Sequence, residues 1–116
     1  MLTVREIGLL KNIIKHCTRI AEKMAITSLE QYNEDEDVRE IICFNIFQIG
    51  ELAKNFTPQF VKDNNGVPWS QIKGMRDKIG HGYGTIDLVK VWKTAEIDVP
   101  PLQEYCQKLL EENGVA

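Results

Sequence analysis

Two long segments of the chain repeat apolar residues at intervals of three and four, and this spacing constrains the fold more than any other feature. In the first segment the apolar positions are Ile7, Leu10, Ile13, Ile14, Cys17, Ile20, Ala21 and Met24. In the second they are Val38, Ile41, Ile42, Phe44, Ile46, Ile49, Leu52, Ala53 and Phe56. Such spacing aligns side chains along one face of an α-helix. The second face is wider than one seam needs, which predicts contact with two neighbouring helices or burial in a dimer.

Capping and turn signals divide the rest of the sequence into further helices. Thr3-Val4-Arg5-Glu6 matches a capping box for the first helix, which we expect to end at about Leu29. The other predicted elements are a short turn opened by Thr57-Pro58, a helix from Trp69 to Ile79, a helix capped by Thr85 or Asp87, and a last helix that starts near Val99-Pro100-Pro101 and stops at Asn113-Gly114. No segment shows the alternation of a strand. The sequence therefore predicts an all-α protein, an antiparallel up-and-down bundle of about five helices formed by residues 1–116 as a single domain.

Composition narrows the functional classes. The net charge of −3 argues against a general nucleic-acid coat, because phosphate binding usually depends on a broad basic surface. Residues 71–93, however, carry five lysines and arginines against two aspartates, so any RNA contact should be local to this stretch. No apolar leader follows Met1 and no run approaches the roughly 20 apolar residues of a membrane span, which predicts a cytoplasmic protein without membrane contact.

The cysteines and acidic residues give no sign of a metal centre. Cys17, Cys43 and Cys106 are far apart, and each lies among apolar residues of a predicted helix, so we expect buried reduced thiols. A metal site would need clustered ligands, and none is apparent, so no metal or other cofactor is predicted. The acidic run at residues 33–37 is expected to cap the second helix, and a patch that faces a partner is the alternative.

Groups capable of chemistry concentrate between Gly74 and Gly84. Arg76 offers a planar fork of donors for phosphate, His81 can move a proton near neutral pH, and Tyr83 adds a hydroxyl. On an ideal helix Arg76 and His81 would lie about 140° apart. The glycines at 80, 82 and 84 are therefore expected to end the helix near Gly80 and fold His81 back, with Tyr83 on the same side of an extended exit segment.

The order Arg76, four residues, His81, one residue, Tyr83 resembles the signature of HEPN-domain RNases, specifically the HepT-like toxins of toxin–antitoxin pairs. The flanks that also fit are Asn45 to Glu51, Pro68-Trp69, Gly74-Met75-Arg76, Asp87-Leu88-Val89 and Trp92. The similarity covers nearly the whole chain. It implies a homodimer with the active site across the subunit interface, where two copies of Arg76 and His81 surround one phosphodiester.

The resemblance also implies roles for individual residues. His81 would be the acid–base group, and Arg76 would hold the phosphate and stabilise the transition state. Asp77 would orient one of these two, although it could equally be a solvated helix residue. Glu51 would lie near the active cleft, whereas the alternative interpretation of Gly50-Glu51 is only that a glycine lets another helix approach closely.

Lys73 and Lys78 would steer RNA, and Tyr83 would accept AMP from a minimal nucleotidyltransferase antitoxin. The resemblance thus implies a metal-independent endoribonuclease toxin of a type II or type VII-like toxin–antitoxin pair, which leaves 2′,3′-cyclic phosphate ends. The alternative is a non-catalytic helical module that binds a nucleotidyltransferase partner or a nucleotide, and the negative net charge favours it slightly. Its expression alone should be harmless, whereas a toxin should arrest growth through Arg76 and His81.

Overall fold

A computed structural model describes residues 1–115 and, at Tyr83, the backbone alone. Its seven α-helices are α1 Val4–Ala25, α2 Leu29–Glu34, α3 Glu36–Ala53, α4 Pro58–Asp63, α5 Trp69–His81, α6 Leu88–Lys93 and α7 Val99–Glu112. A 3-10 turn, Tyr83–Thr85, follows α5, and a π-helical segment, Thr94–Asp98, joins α6 to α7. The described residues contain no strand, so the prediction of an all-α bundle is confirmed. The six-residue helices α2 and α4 raise the number of helices above the five expected.

Capping boxes fix the first two helix starts. The Thr3 hydroxyl accepts a hydrogen bond from the backbone N–H of Glu6, and the Glu6 carboxylate accepts one from the backbone N–H of Thr3, as predicted. Ser28 and Gln31 form a second box of the same kind. Helix α1 therefore ends earlier than expected, at Ala25, because a new helix is capped three residues later.

Aspartates cap α3 and α6. The Asp35 carboxylate accepts two backbone N–H bonds at the start of α3, so capping by the acidic run at residues 33–37 is confirmed. Asp87 does the same for α6, and the Thr85 hydroxyl instead donates to the Gly82 carbonyl. The break expected before Val99 is a π-helical segment, after which the prolines occupy the first turn of α7.

Helix α3 is central, and α1 packs along one side of it in the opposite direction. His16 Nδ1 lies 2.8 Å from Asn45 Oδ1, and Arg5 Nη2 lies 3.5 Å from Asn55 Oδ1 towards the other end. Asn45 is buried and also donates to the carbonyl of Ile41. His16 lies outside the apolar positions of the first segment, which predicts a solvated side chain, and this prediction is wrong. Its ring is half-buried and gives a buried amide its partner.

Helix α7 packs on the other side of α1, where Gln103 Nε2 donates to Thr18 Oγ1 at 2.8 Å. The Cys17 and Cys106 thiols lie in this interface, and burial raises the pKa of each to about 12. Burial also raises the pKa of Cys43 to about 11. The three cysteines are free and buried, as predicted, and thiols with such pKa values carry little reactive thiolate.

One connected core runs from Leu10 to Leu110, and aromatic rings close one end of it. Trp69 is 2% exposed, packs against Phe56 and Phe60, and donates its indole N–H to the carbonyl of Asn64 at 2.7 Å. The sequence predicts Trp69 as a core anchor, and this prediction is confirmed. Within the described part of the chain, none of the helices has the length and apolar content needed to cross a bilayer.

Helix α5 packs against the remaining side of α3, and Gly50 permits the contact. A Cβ atom on Gly50 would lie 2.2 Å from Cβ of Arg76 and 3.3 Å from the carbonyl oxygen of Ile72. No side chain fits in that space unless a helix moves. The interpretation of Gly50 as the point of close helix approach is therefore confirmed.

Two glycine substitutions test this packing. Gly50→Ala is expected to lower the free energy of unfolding by about 1–3 kcal/mol, because the added methyl group overpacks the interface of α3 with α5. Gly74→Ala, in the adjoining helix, is the matched control. A Cβ there meets no described atom within 4 Å, so the change should be neutral or stabilise by up to about 1 kcal/mol. Urea unfolding curves measure both, and equal effects would contradict the close contact at Gly50.

Candidate active site

Arg76 lies on the face of α5 that meets α3, at the centre of a polar cluster. Its Nε donates to Oε1 of Glu51, and its Nη1 donates to Oδ1 of Asp77 at 3.1 Å. The guanidinium carbon lies 5.1 Å from the centre of the Phe47 ring, and Lys54 Nζ lies 3.1 Å from Glu51 Oε1. The Arg76 and Glu51 side chains keep 28% and 29% exposure, so a solute can reach the cluster.

The carboxylates of the cluster fix the orientation of the Arg76 guanidinium and favour its charged form. Hydrogen bonds from Arg76 and then Lys54 hold the pKa of Glu51 below its usual range, and Glu51 and Asp77 in turn raise the pKa of Arg76. Among the described residues, protein acceptors take one donor on Nε and one on Nη1. The two donors of Nη2 make no such bond. An arginine braced in this way can present a fixed pair of donors to a phosphate.

The course of the chain after Arg76 differs from the prediction. Gly80 is helical, and α5 continues to His81. Gly82, with φ of 155°, ends the helix, and the N–H of Gly82 donates to the carbonyl of Ile79. A Cβ on Gly80 would lie 3.2 Å from the Phe47 ring, so this glycine serves helix packing. Tyr83 begins a 3-10 turn and not an extended segment. The expected end at Gly80 and the folding back of His81 are therefore wrong.

Because α5 is regular through His81, this residue lies about 140° around the helix from Arg76. His81 is exposed, on the side of α5 turned away from the core. Asp77 precedes it by one turn and bonds to Arg76, so the carboxylate stands between the two groups. The structure brings Arg76, Glu51 and Asp77 together, and it leaves His81 on a neighbouring face of the same helix.

The two steering lysines lie on different sides of α5. Lys73 is half-buried on the side of Arg76, whereas Lys78 is exposed and approaches Lys90 of α6. The ammonium group of Lys90 lowers the pKa of Lys78. The side chain of Tyr83 lies outside the described residues, so its modification stays a prediction.

Three neighbours of the site were missed from the sequence. Phe47 and Lys54 flank Glu51 by one helical turn each, at i−4 and i+3, and this spacing was the available signal. Lys90 became a neighbour of Lys78 only through the fold. The described residues contain no group of three or more side chains that could together ligate a metal ion.

An uncovered apolar strip on α3 adjoins the cluster. Phe44 is 54% exposed and Ile41 is 41% exposed, and on an ideal helix both share the outer face of α3 with Glu51. Ile41 and Phe44 are called the α3 strip below. Two large apolar side chains exposed on one helix face beside a polar cluster make this strip a candidate interaction surface.

Comparison with known proteins identifies a family for this chain. Residues 13–109 match the family model described as "Ribonuclease HepT-like". The protein named "Putative RNase TTE0752", from Caldanaerobacter subterraneus subsp. tengcongensis, is 28% identical over 103 residues, which cover 89% of this chain and 92% of that protein. "Probable ribonuclease HepT" from Thermococcus cleftensis is 30% identical over 94 residues, or 73% of this chain and 86% of that protein. No solved structure matches the chain.

The matched region contains all of α3 and α5 and therefore the whole arginine cluster and His81. The chain belongs to the HepT-like ribonuclease family.

Proposed function

We propose that this protein is a metal-independent endoribonuclease that acts as a homodimer and serves as the toxin of a toxin–antitoxin pair. Membership of the HepT-like ribonuclease family supports the ribonuclease activity. The observation that carries the proposal is that helix α5 holds both a guanidinium bonded to two carboxylates, at Arg76, and an exposed imidazole, at His81. One group suits a phosphate, and the other suits proton transfer.

Cleavage of RNA without a metal needs a base, an acid and a cation. In the proposed reaction a base takes the proton of the ribose 2′-hydroxyl, and the 2′ oxygen attacks phosphorus. The bond from phosphorus to the 5′ oxygen breaks, and an acid protonates that oxygen. The products are a 2′,3′-cyclic phosphate and a 5′-hydroxyl. Arg76 would stabilise the charge that develops on the phosphoryl oxygens.

A second chain would complete the set of groups. One protomer offers a single His81, on a face of α5 that Arg76 does not share. Two protomers related by a two-fold axis offer two imidazoles and two guanidinium groups to one phosphodiester. In this dimer His81 of one protomer acts as the base and His81 of its partner acts as the acid. Asp77 and Glu51 are positioning residues, because they hold Arg76.

The α3 strip is the surface that we assign to the dimer contact. Phe44→Asp is expected to convert the dimer to a monomer at micromolar concentration, because it places a charge in an apolar interface. Ile97→Asp is the matched control, since Ile97 is 58% exposed and lies on the π-helical segment away from α3. Analytical ultracentrifugation measures both. A Phe44→Asp protein that remains dimeric would remove the α3 strip from the interface.

The direct test is cleavage by the purified protein in EDTA. The proposal expects fragments of a single-stranded RNA that end in 2′,3′-cyclic phosphate. Such ends resist a phosphatase that attacks only phosphomonoesters, and acid treatment opens them. Cleavage that needs an added divalent ion, or fragments that carry 3′-hydroxyl ends, would contradict the mechanism.

The antitoxin would be a minimal nucleotidyltransferase that attaches AMP to Tyr83. A bulky anion two residues from His81 would repel substrate phosphate and block the site. If the reading frame beside this one encodes such a nucleotidyltransferase, co-expression of the two proteins should add the mass of one AMP group to the peptide that holds Tyr83. The non-catalytic helical module remains the second candidate, because Arg76 already bonds two carboxylates in the single chain. Harmless expression of the protein alone would favour that module.

A further inference from the structure

A groove of about 680 Å³ separates α5 from α7. Helix α5 packs on α3 and α7 packs on α1, so the two helices do not close on each other. The floor is Ile46 and Ile49 of α3, and the walls include Ile72 and Met75 of α5 and Leu102 of α7. On an ideal helix this side of α3 lies opposite the α3 strip, so a dimer built on the strip leaves the groove open. The volume is within the range of small-molecule sites.

Two lysines stand at one end of the groove. Lys78 of α5 and Lys90 of α6 both line it, and the Lys90 ammonium is near enough to lower the pKa of Lys78. Asp87 acts on that pKa in the opposite direction and more weakly. Asp98 and Glu104 line the groove too, from the π-helical segment and α7. Two ammonium groups on one groove repel each other, and an anion bound between them would remove that repulsion.

The lysine end of the groove adjoins His81. Lys78 and His81 are three residues apart on the regular helix α5, and side chains at this spacing are surface neighbours, with Cβ atoms about 5–6 Å apart. Around α5 the order is therefore Arg76, Asp77, His81, Lys78 and then the groove. A strand that places a phosphodiester at His81 can reach the lysine pair with its next phosphate.

We propose that this groove is a nucleotide subsite for single-stranded RNA, in which the phosphate beside the scissile one binds between Lys78 and Lys90 and the attached base lies against the apolar walls. The inference rests on the proposed ribonuclease function and names where the substrate continues beyond His81. Proteins hold single strands in this way, with cations on the phosphates and apolar or aromatic side chains on the bases. A free ribonucleotide offers the same chemistry, and the i, i+3 spacing of Lys78 and His81 favours the nucleotide of a strand.

The phosphate contact is tested by charge removal at Lys90. Binding of a fluorescent single-stranded RNA is measured by anisotropy at several salt concentrations, with His81→Ala in every protein to prevent cleavage. Lys90→Gln should weaken binding about 3- to 5-fold and reduce the slope of log affinity against log salt by about 0.7. Lys93→Gln, which removes an exposed charge from the same helix outside the groove, should change neither. Equal behaviour of the two variants would overturn the subsite.

The base contact is tested by methyl NMR of the same His81→Ala protein. Added RNA should shift the methyl signals of Ile72 and Met75 and leave Ile14 of α1 unchanged, and an abasic RNA of equal length should bind more weakly. Unshifted groove methyls would overturn the subsite, and so would free AMP or UMP that binds there more tightly than the RNA. If the wild-type protein cleaves RNA in EDTA and these binding tests fail, the proposed function stands and only the subsite is overturned. If the protein binds RNA in the groove and does not cleave it, the proposed function is overturned and the subsite stands.

Discussion

His81→Ala is expected to lower the rate of RNA cleavage by about 10²- to 10⁴-fold, which is the usual loss when a positioned acid–base group is removed. The side chain is exposed at the end of α5 and is not among the groups that hold the core, so the substitution should leave folding intact. Single-turnover cleavage of a labelled RNA in EDTA measures the rate, and a thermal unfolding curve checks the fold. Wild-type cleavage by this variant would exclude His81 from the chemistry.

Mixed dimers of wild-type and His81→Ala chains test whether each cleavage event needs His81 from both protomers. If each catalytic event needs His81 from both protomers, equal amounts of wild-type and His81→Ala chains, refolded together, should retain about one quarter of the activity. If each His81 acts alone, about one half should remain. His16→Gln is the control for the other histidine. It should affect stability through the partner of Asn45 and leave the cleavage rate of the folded protein unchanged.

The helical scaffold could be predicted from the sequence because its signals are local. Apolar spacing identified α1 and α3, and caps such as Thr3 and Asp35 lie where the pattern placed them. Gly80 is a position where a prediction from local sequence failed. A glycine predicts the end of a helix only if the chain must turn there, and Gly80 instead makes room for Phe47 of another helix. The helix ends two residues later, at Gly82, which has a positive φ.

The sequence predicts which residues belong to the candidate site, but it does not predict which of these residues contact one another. Arg76 and His81 were found from their spacing and from the resemblance of the flanks. The bond of Arg76 to Glu51, the Phe47 ring beside it and the contact of Lys78 with Lys90 all join separate helices. The apolar spacing within one helix does not show which residues of a second helix will contact it. The groove is likewise a property of how α5 and α7 diverge.

Arg76→Lys is expected to lower the cleavage rate by about 10²- to 10³-fold, mainly in kcat, because it removes the donors that should face the developing charge. Lysine can still pair with Glu51 and keep the cluster charged, so this change separates charge from geometry. A lysine offers a compact ammonium, whereas the guanidinium bonds Glu51 through Nε, bonds Asp77 through Nη1 and makes no bond to a described residue through Nη2. Rate and affinity are measured separately in single-turnover experiments over a range of protein concentrations.

Arg19→Lys is the matched control, since Arg19 is exposed on α1 and has no part in the cluster. It should leave both kcat and KM unchanged. A loss in Arg76→Lys confined to KM would mean that Arg76 only binds RNA, because an interaction made equally in the ground and transition states does not raise kcat. A variant that cleaves at the wild-type rate would show that any cation suffices at this position. In that case the bracing by Glu51 and Asp77 would serve helix packing and not catalysis.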